Sequence, residues 1–112
     1  MVVDAHEEWG ARPGMVTLVW PDTLVMSGEV TFAAVQAFGG GVGRLEGVQV
    51  VDLSAATYVD RSAISLLLRC VQLSHRHDPT RPVHVIGSSD RVRASMQMLG
   101  VAHLVAFVDP ED

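Results

Sequence analysis

The chain of 112 residues predicts an α/β fold in which a hairpin opens a largely parallel sheet. Three observations predict it. Two β-rich runs, "MVTLVW" and "TLVMSG", flank Pro21 and Asp22, a pair that favours a tight turn. A nearly continuous apolar run, Val48 to Ser54, has the character of a central strand covered on both faces. Beyond it, helical and strand periodicities alternate to the end of the chain, and crossovers of that kind join parallel strands.

The elements follow in order. Residues 1–14 read as a flexible N-terminal segment and residues 15–112 as one domain, since 112 residues with 48% hydrophobic content supply one core. After the hairpin, "GEVTFAAVQAF" places Phe32, Val35 and Phe38 at helical spacing, and "GGGVG" at 39–43 ends that helix in a flexible connector. The connector lacks the Lys-Ser or Lys-Thr of a P-loop and follows a helix where a P-loop follows a strand. "AATY" leads from the central strand to Asp60, a favoured N-cap residue because its carboxylate accepts the unpaired first-turn N–H groups. The helix that starts there carries Arg61, Ser65, Arg69, Gln72 and Arg76 on its polar side and Ile64, Leu67, Leu68 and Val71 on its buried side. Pro79 stops it. "VHVIG" is the next strand. In "SSDRVRASMQMLG", Ser89 or Asp90 caps a helix whose apolar face is Val92, Met96 and Leu99, and Gly100 ends it. "HLVAFV" is the final strand.

Composition narrows the function. Thirteen acids against eight bases give a net charge of −5, and no Lys/Arg cluster interleaves with aromatics, which argues against nucleic acid as a partner. The single Cys70 sits inside "SLLLRCVQL", where thiols are packed and inert, and it fits a reducing compartment. "MVVDAHEEWG" turns acidic too early for a secretory signal, and no stretch approaches a membrane span, so the expected location is cytoplasmic.

Candidate chemistry is sparse. His75 and His77 stand two apart on a helix and diverge, which disfavours a metal site, and His84 alternates with Val83 and Val85 as a surface strand residue does. No Gly-x-Ser-x-Gly elbow supports a hydrolase built on Ser62, and no cofactor is indicated. Met96 and Met98 suit core filling or an adaptable contact surface. Ser62 falls in the first turn of its helix, where a hydroxyl is either simply solvated or available for modification.

Four segments taken together, "GEV" at 28–30, "VVDLSAATYVDRSAISLLL" at 50–68, "VHVIGSSDRVRASMQMLGV" at 83–101 and the closing "LVAFVD", resemble in order and spacing the STAS domains of bacterial anti-sigma-factor antagonists. The resemblance spans about residues 15–109. It implies a STAS fold, a mixed, mostly parallel sheet with helices packed largely on one face, and a non-enzymatic switch protein. In that family the unmodified antagonist binds an anti-sigma factor that is also a serine kinase, displaces the sigma factor, and is then phosphorylated at the start of the helix after the central strand. A serine phosphatase resets it. Residue by residue, the phosphoacceptor falls on Ser62 and the family's acid on Asp60, while Arg61 and Ala63 stand where the family has a small hydroxyl residue and glycine. The implied contact surface is Asp60, Arg61, Ser62, Ala63, Ser65 and Arg69. The same fold also serves as an accessory subunit that binds the ATPase of lipid-exporting ABC transporters, or as a unit of a stress-signalling assembly, and these are the alternative expectations. The oligomeric state has no signature in the sequence.

Overall fold

The computed structural model describes residues 13–39 and 45–109. Strands β1 (Met15–Val19), β2 (Thr23–Val30), β3 (Val50–Val59), β4 (Val83–Ile86) and β5 (Val105–Val108) form one sheet in the order β1-β2-β3-β4-β5. Only the β1/β2 hairpin is antiparallel, and every later pairing is parallel. Helices α1 (Phe32–Phe38), α2 (Arg61–His77) and α3 (Asp90–Met98) provide the crossovers. Of the expected connector at 39–43, residues 40–43 lie outside the described residues, as does most of the N-terminal segment. Pro13, assigned to that segment, bridges Glu29.

The strand periodicity decides where the core lies. Leu24, Met26 and Val30 on β2, Val51 and Leu53 on β3, and Val83 and Val85 on β4 face one side and form a single cluster with Ala63, Leu66, Leu67, Cys70 and Val71 of α2 and Val92 and Met96 of α3. Burial of each larger aliphatic chain in that layer contributes about 1.5–3 kcal/mol. The alternate positions of the same strands, Val25, Ser27, Val50, Asp52, His84 and Ile86, stay half-buried or exposed. Helices thus cover one face of the sheet. This agrees with the one-face packing that the resemblance implied and corrects the expectation, drawn from the apolar run, that the central strand is covered on both faces: the run reflects a β-branched strand with Asp52 on the other side, and periodicity alone does not separate that from double burial.

β3 is also longer than its apolar run. "AATYV" continues as strand to Val59, because β2 extends alongside it and pairs Gly28 with Ala56, Glu29 with Tyr58 and Val30 with Val59, whereas β4 meets only Val50, Asp52 and the residue between. Two register shifts between the strands, each with an extra residue on β3, flank Gly28 of β2, which has φ +68°. The two-stranded extension carries Asp60 and α2 out to one rim of the molecule.

Two further residues differ from expectation. Leu68 is half-buried and Leu99 is 53% exposed, because Leu99 follows the last turn of α3 just before Gly100, φ +77°, redirects the chain and brings Val101 into the core. Ser74, on the buried side of α2, is 1% exposed and donates its hydroxyl to the Val48 carbonyl at 2.7 Å. That bond satisfies a backbone acceptor beside the loop that enters β3.

Candidate functional site

Asp60 organises the rim. It is the N-cap of α2, with extended φ −89° and ψ −176°, and its Oδ1 accepts the Ala63 N–H at 3.0 Å. Its Oδ2 accepts the Phe32 N–H, also at 3.0 Å. The cap residue of α1, Thr31, makes no side-chain cap bond, so Asp60 serves the first turns of both helices. The Asp60 N–H in turn donates to the Val30 carbonyl at 3.0 Å. One carboxylate thereby joins the end of β2, the start of α1 and the start of α2.

Ser62 lies two residues past this cap, half-buried, in the first turn of α2. It lines a surface depression of about 410 Å³ between α1 and α2 together with Val35, Ser65, Leu68 and Arg69. The structure therefore brings Ser62, Ser65 and Arg69 onto one side of α2. Arg61, exposed at the first helical position, lines a neighbouring groove shared with α3, and Ser65 lines both. Ala63 does not join them. Its side chain is 0% exposed and sits in the core, because the third residue after the cap rotates under the helix toward the sheet. The expected contact surface included Ala63, but its side chain is sealed in the core and only its amide faces the cap, bound to Asp60.

Three neighbours of the site had no motif in the sequence. Phe32 is 59% exposed and Tyr58 is 49% exposed; the Phe32 amide is bound by Asp60, and Tyr58 stands two residues before it at the end of β3. Arg91, at the start of α3, reaches over the Tyr58 ring with its guanidinium carbon 5.4 Å from the ring centre, and its Nη1 donates to the Val59 carbonyl. Exposed aromatics next to a positioned arginine make good anchors at protein contacts. Only the β-forming character of "TYV" hinted that Tyr58 belonged to a strand end at the rim.

The remaining polar clusters support the scaffold. Ser89 caps α3 by accepting the Val92 N–H at 3.2 Å, the first of the two caps expected there. Arg93 pairs with Asp109 at 3.0 Å, donates its Nε–H to the Ser88 hydroxyl oxygen at 3.0 Å and lies 5.1 Å from the Phe107 ring centre, tying α3 to the end of β5. Cys70 is fully buried, and burial pushes its thiol up to about 12. A thiol so desolvated is no nucleophile at neutral pH. Among the described residues no helix is long and apolar enough to cross a membrane.

A five-stranded mixed sheet with three helices on one face and an acid-capped serine helix at its rim defines a STAS-type fold. No family model and no curated protein matches the sequence. Solved structures do match in fold. The phosphorylated form of SpoIIAA, a cell fate determinant of Bacillus, superposes with a TM-score of 0.60 at 16% identity, covering 88% of this chain and 94% of that one. The unphosphorylated form of SpoIIAA, an anti-sigma factor antagonist, superposes with a TM-score of 0.57 at 18% identity, covering 88% of this chain and 90% of that one.

Proposed function

We propose that this protein is a cytoplasmic, non-enzymatic anti-sigma-factor antagonist that docks on an anti-sigma serine kinase when Ser62 is unmodified and is released when Ser62 is phosphorylated. The observation that carries the reading is the position of Ser62: a hydroxyl reachable from solvent in the first turn of the helix after the central strand, beside an acid that fixes that turn. A protein of the same fold has been solved in phosphorylated and unphosphorylated forms, which supports a modification switch on this scaffold. The docking surface consists of Asp60, Arg61, Ser62, Ser65 and Arg69, and a serine phosphatase restores the active form.

The physics of the switch is electrostatic. A phosphoserine adds roughly −1.5 to −2 charges at neutral pH, next to the Asp60 carboxylate, on a surface that a partner packs against as a small neutral hydroxyl. Desolvation and repulsion then oppose docking, while the first-turn N–H groups and Arg61 favour the phosphate in the free protein. The test is native copurification of the partner kinase followed by phosphorylation with ATP. Ser62→Ala binds the kinase as wild type does and takes up no phosphate. Ser62→Asp binds at least about tenfold more weakly, a loss of about 1.4 kcal/mol. Wild-type phosphate incorporation into Ser62→Ala, or equal binding by Ser62→Asp, overturns the assignment.

A further inference from the structure

A second surface feature adjoins the Ser62 depression across the exposed side of α2, where Ser65 and Leu68 line both. Arg61, Ile64 and Leu68 of α2 face Arg91 and Met98 of α3 and the following Leu99 across an open groove of about 560 Å³. Ser65 and Ser95 complete its lining, and its apolar residues are open to solvent: Met98 is 87% exposed and Leu99 is 53% exposed. On both helices the lining residues recur at seven-residue separation, Arg61 to Leu68 and Arg91 to Met98, so the groove runs about 10 Å, two helical turns, along the two axes.

The groove is polar in direction. β3 and β4 run parallel, and α2 and α3 leave the same ends of those strands, so both helices begin at the same rim. Both arginines therefore stand at one end and the apolar residues Leu68, Met98 and Leu99 at the other. The positive ends of two helix dipoles add to the two guanidinium groups. No acidic residue lines the groove, although the chain as a whole carries −5. The neighbouring Asp60 has both carboxylate oxygens engaged by backbone N–H groups. Arg91 is already held in place by the Tyr58 ring and the Val59 carbonyl, so little ordering remains to be done when a carboxylate meets it.

We infer that this groove docks an amphipathic helix of a partner protein, with the helix's apolar ridge against Leu68, Met98 and Leu99 and its carboxylates against Arg61 and Arg91. Charge complementarity sets the partner's chemistry and its orientation: the C-terminal, dipole-negative end of the incoming helix lies toward the arginines. A partner helix laid over the two helices along this groove meets it with anchors at i, i+3 or i+4, and i+7, and an unbranched methionine at the edge adapts to the anchor it meets. Arg61 and Ser65 also belong to the surface proposed around Ser62, so the groove is tested on the protein with Ser62 unmodified.

The test uses the whole chain with methyl-labelled Met and Leu, titrated with an 18-residue (roughly five turns) synthetic helix peptide that has a leucine ridge and two glutamates near its C-terminus. A second peptide carries lysines in place of the glutamates. The expected result is saturable shifts of the Met98, Leu99 and Leu68 methyl signals, with the lysine peptide bound about tenfold more weakly and the glutamate peptide weakened by added salt. Arg61→Glu weakens the glutamate peptide by a similar factor and is no threat to folding, because an acid in a first helical turn is favoured. Equal binding of both peptides, unchanged binding by Arg61→Glu, shifts confined to the open sheet face around Val25 and Ile86, or no saturable shift up to about 1 mM peptide overturns the inference. Because the probe is a peptide, failure of the kinase reading leaves these outcomes unaffected.

Discussion

Replacing Asp60 tests the architecture of the rim most directly. The carboxylate makes two charge-assisted bonds, to the Ala63 and Phe32 amides, each at 3.0 Å, and it is half-buried. Losing an N-cap costs about 1 kcal/mol, and losing a second hydrogen bond to a charged acceptor costs about 1.5 kcal/mol. Asp60→Ala is therefore expected to lose about 2.5 kcal/mol. With an unfolding entropy of about 2.1 cal/mol/K per residue over 112 residues, that loss lowers Tm by about 10 °C. Asp60→Asn separates the two bonds. Asparagine caps nearly as well as aspartate but has one acceptor oxygen, so it keeps one bond and is expected to lose about half as much. Urea unfolding at equilibrium, followed by far-ultraviolet circular dichroism, measures both variants. A loss below about 0.5 kcal/mol in Asp60→Ala, or an Asp60→Asn variant as stable as wild type, refutes the double-cap reasoning.

Two glycines distinguish backbone strain from crowding: a Cβ on Gly87, φ +73°, would sit 2.7 Å from the Ser54 Oγ and 2.8 Å from its Cα, whereas on Gly100, φ +77°, it would meet nothing within 4 Å. Gly100→Ala should lose about 1–2 kcal/mol from strain alone and Gly87→Ala clearly more, and thermal melts that show equal losses contradict this. Cys70 should resist a disulfide reagent in the native protein and react promptly once unfolded. Its folded pKa of about 12 stands above the ordinary 9.0, so the folded state holds the proton more tightly. Its contribution to stability is present in full below pH 9.0 and is lost as pH rises toward about 12. Urea midpoints for wild type and Cys70→Ser at pH 8 and pH 10.5 (both rough set points) check this, since a wild-type protein that gains stability relative to the variant at the higher pH contradicts the sign.

The local signals proved strong because they act over a few residues. Asp60 and Ser89 as caps, Gly100 as a stop, the Pro21-Asp22 hairpin and the order of strands and helices all follow from neighbours in the chain, and all were legible. Strand ends were less so. β3 runs on through "AATYV" because β2 lies beside it, a pairing across the sheet that no window of sequence contains. The same limit applies to Leu68 and Leu99, whose apolar character marks a buried face until the neighbouring helix is seen to leave them at a groove.

By itself the sequence determined a single mixed sheet with crossover helices, an acid-capped helix bearing Ser62 and an inert Cys70, since periodicity, capping and burial of apolar side chains are written in short spacings. Tertiary structure alone decided that Ala63 is sealed while Ser62 is reachable, and that Asp60 also caps a helix whose first residue, Phe32, precedes it by 28 positions. It also brought Arg61 and Arg91 to the mouth of one groove. These are contacts between elements, and their geometry is settled only when the strands have paired and the helices have packed against them.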